Sequence, residues 1–369
     1  MARARLRELG ITVGQLTPGS LNAITDVPGV RVGYATLVAD APHVIRTGVT
    51  MVWPADMDIW TNYVFAGSHS FNGNGEMTGL VWIAEQGLLG APIGITNTYD
   101  VGTVRDAITA YAVAKGAPQD FHLPVAAETY DGRLSDIATF AVKKELAFEA
   151  LDKATGGHIA EGNVGGGTGM IAHEFKGGTG TASRVATAGG ERYTVGALVQ
   201  ANYGQRELLR VDGVPVGKKI PIKDIPSPRR GRGLAGAGDQ PGPSPDGGGS
   251  IIVVLATDAP LLPIQCQRLA RRATTGLAWV GGIGSNGSGD IFIAFSVGNR
   301  VRHGEPVSNV RMIAPDAMTA LFQAAAEATE EAILNAMTMA ETTVGNKGVT
   351  AHALPLDRLQ EIMRKYRRL

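Results

Sequence analysis

Apolar and polar positions follow a different rhythm in each part of this chain. Between Asn22 and Pro54 short apolar runs, NAITDVPGVRVGYATL and VIRTGVTMVWP, are punctuated by turn residues, which predicts two or three strands. Helical spacing over Glu76–Leu89 and Thr103–Ala114 predicts two helices, with a strand at Pro92–Thr98 between them. After LPVAAETYDG the pattern predicts a helix from about Asp136 to Lys153, capped by Asp136 or Ser135. From Gly162 to Asn202, Gly-rich turns separate TGMIAHEFKG, GTGTASRV and RYTVGALVQAN. That rhythm suits antiparallel strands and a second sheet.

Beyond Pro221 the chain reads PIKDIPSPRRGRGLAGAGDQPGPSPDGGG without an aromatic residue, and is expected to be an exposed, mobile loop. It ends at Ser250, where Ile251–Ala256 begins a continuous β-branched run that predicts a strand buried on both faces. Asp258 is placed to cap a helix running to about Gly276, and GGIGSNGSGD leads into the strand Ile291–Val297. Helices are predicted at Ala314–Met339 and Leu356–Tyr366. This order predicts an α/β fold, a four-layer αββα sandwich with two central sheets covered by helices, formed by residues 1–369 as one domain.

Composition narrows the function. Charged residues are 18% of the chain, below the usual share of about 25%, and glycine reaches 50 residues, as in a well-buried, loop-rich enzyme. Lys and Arg balance Asp and Glu at 34 each, so no net field favours nucleic acid or an anionic membrane. No stretch supplies about 20 apolar residues and MARARLRELGITVG lacks a signal-peptide core, so a soluble cytoplasmic protein is expected. Arg3, Arg5, Arg7, Arg364, Arg367 and Arg368 read as solvated helix faces, and the single Cys266 as a buried small apolar residue. Seven histidines show neither HxxxH nor HExxH spacing, and neither GVPVGKK nor GGGTGM fits a phosphate-binding or dinucleotide pattern. No metal and no cofactor are expected.

Chemistry concentrates around Ser250. Gly247, Gly248 and Gly249 free the backbone before it to present a strained peptide to a nearby hydroxyl. Attack of that hydroxyl on the Gly249 carbonyl would cleave the chain into residues 1–249 and 250–369. Ser250 would then carry both a nucleophile and an α-amine with a pKa of about 7.7–8.0, able to take the hydroxyl proton. The same stretch also suits a flexible linker followed by an ordinary strand. Ser288 and Asp290, two apart at a strand entry, can point to one side as a hydroxyl–carboxylate relay, or cap their own turn. Asn202, at a strand end, offers an amide donor for an oxyanion, and Glu128, where a strand meets a turn, a carboxylate for a substrate ammonium; each also reads as an ordinary turn residue.

Taken together, NAITDVPGVRVG, IRTGVT, TNT at Thr96–Thr98, ETYDG, GGGTGM, FKGGTGTASR, VQANYG, DGVPVG, GGGSIIVVLATDAPL and GGIGSNGSGD resemble the self-processing β-peptidyl aminopeptidases and L-aminopeptidase/D-amidase-esterases over nearly the whole chain. The resemblance implies cleavage between Gly249 and Ser250 into two chains that stay associated. It also implies an αββα sandwich and homo-oligomers, tetramers or larger, of the processed heterodimer. Carried over residue by residue, it makes Ser250 the nucleophile, Asn202 the oxyanion donor, Ser288 and Asp290 the proton relay, and Glu128 the ammonium binder. Asp290 is shorter than the glutamate some members carry there, which changes its reach, and residues 226–248 have no counterpart.

The expected function is therefore a cofactor-free aminopeptidase acting on small peptides, amides or esters with a free amino terminus, through an acyl-enzyme on Ser250. One alternative is acyl transfer, as in ornithine acetyltransferases of related fold, which usually place threonine at the nucleophile. Another is a non-enzymatic binding protein, for which Ser250→Ala would change nothing.

Overall fold

In the computed structural model, residues 2–55, 57–118, 121–228 and 249–369 are described. Of the loop expected from Pro221 to Gly249, residues 229–248 lie outside them. In chain order the strands are β1 (Arg31–Ala39), β2 (Ile45–Trp53), β3 (Asn62–Gly73), β4 (Leu88–Leu89), β5 (Ile93–Asn97) and β6 (Val125–Thr129). They continue with β7 (Ile171–Ala172), β8 (Phe175–Lys176), β9 (Gly178–Ala188), β10 (Glu191–Asn202), β11 (Gly249–Thr257), β12 (Ser288–Arg302), β13 (Thr343–Val344) and β14 (Thr350–Ala351). The helices are α1 (Leu80–Gln86), α2 (Val101–Ala114), α3 (Lys144–Asp152), α4 (Val216–Lys219), α5 (Pro263–Ala270), α6 (Ala273–Val280), α7 (Thr319–Thr338) and α8 (Leu356–Lys365).

Two sheets carry the fold, a four-stranded one in the order β1-β2-β5-β6 and a six-stranded one in the order β4-β3-β12-β11-β10-β9. Helices α2 and α3 cover the smaller sheet, α5 and α7 cover the larger, and α6 packs against α7. This is the four-layer αββα arrangement the pattern predicts. Alternation along β11 sorts its side chains between two cores: Ile252, Val254 and Ala256 pack toward the smaller sheet, Ile251, Val253 and Leu255 toward the helices. Burial on both faces explains why the run is continuously apolar. No helix among the described residues is long and apolar enough to cross a membrane.

Tertiary contacts redraw several predicted elements. The helix over Glu76–Leu89 shrinks to α1, because Gly79 (φ 75°) and Gly87 (φ 70°) are left-handed at its ends and Met77 bridges to Ala127 instead. The helix from Asp136 becomes a 3₁₀ turn (Ile137–Thr139) and then α3. Phe140, at φ 47°, separates the two, and the Asp136 carboxylate pairs with His43 at 2.8 Å. Asp258 accepts the Thr194 N–H at 2.7 Å and caps no helix; Pro263 opens α5 instead, and the chain breaks again before α6. Strand β3 has no strong apolar signature because α5 packs tightly on it: a Cβ at Gly67 would lie 2.4 Å from the Gln267 nitrogen.

The amino-terminal arginines are half-buried and paired, not free on a solvated helix face. Arg5 pairs with Glu161 at 2.7 Å, Arg7 with Glu331 at 2.9 Å, and Arg3 donates to the Leu354 and Met337 carbonyls. Glu331 also holds Arg184 of β9, so one buried network ties the amino terminus and the large sheet to α7. Arg364, Arg367 and Arg368 are exposed, and Cys266 is fully buried, both as expected.

Candidate active site

Strand pairing brings most of the sequence candidates to one end of the large sheet. Ser250 lies opposite Asn202 in the antiparallel β10–β11 pair and opposite Gly289 in the parallel β11–β12 pair. Ser250 is buried, and its hydroxyl donates to the Gly249 carbonyl at 2.7 Å. The nucleophile candidate thus sits against the peptide it would cleave. Gly249 is an ordinary strand residue without a left-handed φ. Its small size matters for a different reason: a Cβ there would lie 2.3 Å from the Asn202 oxygen and 2.8 Å from the Tyr203 Cα. Gly249→Ala is therefore expected to push β10 and β11 apart at the Gly249–Ser250 bond and slow chain cleavage about 10²-fold, the cost of a misplacement near 1 Å. A denaturing gel time course would show it.

Pleating assigns the candidates to opposite faces. Asn202 and Ser250 share the face toward the smaller sheet with Leu198, Ile252 and Val254, whereas Ser288 and Asp290 share the helix-side face with Phe292 and Ala294. The Ser288 hydroxyl donates to Asp290 at 2.6 Å, and the Ile251 N–H bonds the same carboxylate. Burial pushes the Asp290 carboxyl up to about 6, against the opposing pull of those two donors. The pair therefore lies beside the Ser250 backbone, on the side its hydroxyl does not occupy.

On the other face a polar layer joins the sheets. The Asn202 amide accepts from the Ile171 N–H and donates to the Tyr130 carbonyl, both at 2.8 Å, which fixes its orientation. Gln200, two residues earlier, donates to the Thr96 carbonyl at 2.9 Å and to the Thr129 hydroxyl at 2.7 Å. The GGGTGM turn is wedged alongside: a Cβ at Gly166 would lie 2.0 Å from the Gln200 Oε1. Lys176 braces that turn from within, its ammonium donating to the Met170 and Gly177 carbonyls at 2.9 and 2.8 Å, and burial lowers its pKa to about 7.

Glu128 ends the smaller sheet on β6 and is 3% exposed. Its carboxylate accepts the Glu76 N–H at 2.9 Å and the Thr98 hydroxyl. Burial raises its pKa against those two bonds. A Cβ placed on Gly75 would lie 3.2 Å from Glu128 Oε1 and 3.1 Å from the Cα of Gly289, the ladder partner of Ser250. Glu128 and the Ser250 strand end are thus near neighbours across Gly75.

Sequence patterns did not single out Asn72, Asn74, Thr98, Tyr130 or Tyr203. Asn72 donates to the Ser285 carbonyl at 3.0 Å and to that of Ser288, and Asn74 to the Gly287 carbonyl at 3.0 Å, so the end of β3 pins the loop entering β12. Two asparagines flanking a glycine are the only local signal for that role. Among the described residues no group of three His, Cys, Asp or Glu side chains is placed to hold a metal.

A strand-head serine in a sandwich of two sheets between helical layers defines the class of N-terminal-nucleophile hydrolases. Within that class the chain belongs to peptidase family S58, whose model matches residues 22–351. The chain is 48% identical over 373 residues to the β-peptidyl aminopeptidase BapA of Sphingosinicella microcystinivorans, covering 99% of this chain and 93% of that protein. Among solved structures, a β-aminopeptidase of Burkholderia sp. superposes with a TM-score of 0.88 at 49% identity, covering 98% of this chain and 99% of the other. The L-aminopeptidase D-Ala-esterase/amidase of Ochrobactrum anthropi, described as a prototype serine aminopeptidase with a variant of the Ntn hydrolase fold, gives 0.88 at 42% identity, with 99% of both chains covered.

Proposed function

We propose that this protein is a self-processing serine aminopeptidase whose nucleophile is Ser250. The observation that carries the reading is the Ser250 hydroxyl, buried and 2.7 Å from the oxygen of the peptide that joins it to Gly249. In the cleavage step Ser250 Oγ bonds to the Gly249 carbonyl carbon, the carbon–nitrogen bond breaks, and the hydroxyl proton goes to the departing nitrogen. Water then hydrolyses the ester, leaving residues 1–249 and a second chain with Ser250 at its amino terminus.

The same atoms serve the aminopeptidase reaction. The new α-amine takes the Oγ proton, Oγ attacks the substrate carbonyl, the amine product departs with that proton, and water frees the acyl group. Asn202, opposite Ser250 on the same face, is the donor to the oxyanion. Ser288 and Asp290, beside the Ser250 backbone, address its nitrogen and not its hydroxyl. Glu128, close by, receives the substrate ammonium, which limits the enzyme to small peptides, amides or esters with a free amino terminus. Hydrolysis is preferred to acyl transfer by comparison with the related-fold ornithine acetyltransferases, which usually place threonine where this chain has Ser250. Intact mass under denaturing conditions is the test: fragments of residues 1–249 and 250–369 support the reading, and an uncut chain after long incubation of folded protein sinks it.

Cleavage is also expected to depend on pH through Asp290. Its folded pKa, about 6, lies above the unfolded value of about 3.9. Ionising it therefore opposes folding, a cost that builds as pH rises from about 3.9 to about 6 and is fully present above that. Only the ionised carboxylate holds the Ser288 hydroxyl as a pure acceptor, so the rate should climb as Asp290 ionises near pH 6. Asp290→Asn should cleave slowly and without that step, by roughly 10²-fold or more. Rate against pH, followed by gel, checks both.

A further inference from the structure

Tyr203 follows Asn202 on β10, and its side chain lies on the helix-side face of the sheet together with Asp290. The residue is 3% exposed, and its hydroxyl has no hydrogen-bond partner among the described residues. Burying a phenolic hydroxyl without a partner forfeits its hydration with nothing in return, so such a group calls for an explanation. The ring is fixed in place: it meets the His173 ring edge-on with centroids 5.0 Å apart, and a Cβ at Gly282 would lie 3.0 Å from its Cε2. A small cavity opens beside it, lined by Tyr203, Ser288, Asp290, Gly281, Gly284 and Ser285. Its volume, about 10 Å³, matches the space one water requires. Burial, and after it the Asp290 charge, hold the phenol well above its usual pKa, so Tyr203 is a donor at every relevant pH.

We propose that one water in this cavity links the Tyr203 hydroxyl to the Asp290 carboxylate, making Tyr203 a positioning residue for the Ser288–Asp290 relay. Ser288 and the Ile251 N–H already supply two donors to that carboxylate. The bridged tyrosine supplies a third, so the carboxylate is held on both of its sides, which a short aspartate needs more than a longer acid would. Nothing in this arrangement touches the substrate, so the expected signature lies in turnover and proton affinity and not in KM.

The inference rests on the relay reading above, and two measurements separate their failures. In the Ser250→Ala precursor, carbon-13 labelling of aspartate carboxyls should show Asp290 titrating higher in Tyr203→Phe than in Tyr203, by about half a pH unit or more. In the processing-competent protein Tyr203→Phe should slow cleavage and lower kcat about tenfold, move the acid limb of the pH profile upward and leave KM unchanged. In an Asp290→Asn background it should have almost no further effect. An unshifted Asp290 titration in folded precursor, or an equal loss in the Asp290→Asn background, overturns the proposal. A shifted titration with normal cleavage keeps the Tyr203–Asp290 link and removes the relay from the reaction. If Tyr203→Phe fails to fold, Tyr203→Met, which fills the site without a hydroxyl, serves the same titration.

Discussion

Ser250→Ala should leave a single uncut chain of 369 residues that shows no aminopeptidase activity at any enzyme concentration, while folding as the parent does. The methyl group of alanine retains the shape of the site and deletes the oxygen proposed to bond to the Gly249 carbonyl carbon. Because the Ser250 hydroxyl bonds the adjacent Gly249 carbonyl and no distant element among the described residues, thermal stability should change little on its loss. Removing a serine nucleophile alone has cost about 10⁶ in kcat in a hydrolase where it was measured. Here the loss is expected to be compounded, because an uncut chain would also lack the α-amine proposed as base. Ser250→Cys gives the contrast: a thiol can perform the same acyl shift, so this variant should still yield two chains. Intact mass of the three proteins side by side decides it. Two chains from the alanine variant would place the nucleophile elsewhere.

Glu128→Gln should separate cleavage from catalysis. In the proposed cleavage Ser250 attacks a peptide of its own chain and needs no ammonium site, so two chains should form at nearly the parental rate. Turnover of substrates with a free amino terminus should collapse, kcat/KM falling roughly 10²–10³-fold, the scale of truncating one partner of a buried charge pair. Glutamine keeps the size, its oxygen can accept the Glu76 N–H and its amide can donate to the Thr98 oxygen once that hydroxyl rotates, so the fold is preserved and the missing quantity is the charge. Because burial raises the Glu128 pKa, acidification should weaken substrate binding at a higher pH than an ordinary glutamate would dictate. An amino-terminally acetylated substrate, already lacking the cation, should gain nothing from the parental glutamate. Equal losses with free and acetylated substrates would assign Glu128 to structure.

Local rules made much of this molecule legible. The breakers before Ser250 and the β-branched run after it are neighbours in sequence, so the serine at a strand head was readable without any partner strand. Ser288 and Asp290 share a face because a strand repeats every two residues, and α7 and α8 follow from uninterrupted helical spacing. Even the buried state of Cys266 needed only its apolar helical context.

Where elements meet is a matter of distance in sequence, and there only the tertiary structure decided. That Asn202 stands opposite Ser250, that the relay lies on the face away from the Ser250 hydroxyl, and that Glu128 closes toward Gly289 all depend on pairings between segments tens of residues or more apart. The predicted helices at Glu76 and Asp258 were cut short for the same reason. Met77 gained a bridge to β6, and the Asp258 carboxylate the N–H of Thr194, contacts that outweigh intrinsic helix preferences of a few tenths of a kcal/mol per residue. The arginines at the amino terminus looked solvated until Glu161 and Glu331 were brought to them from distant segments. Composition and periodicity set each segment's own conformation; which polar groups leave water together is fixed by the packing of the layers, and at that packed sheet end the proposed chemistry resides.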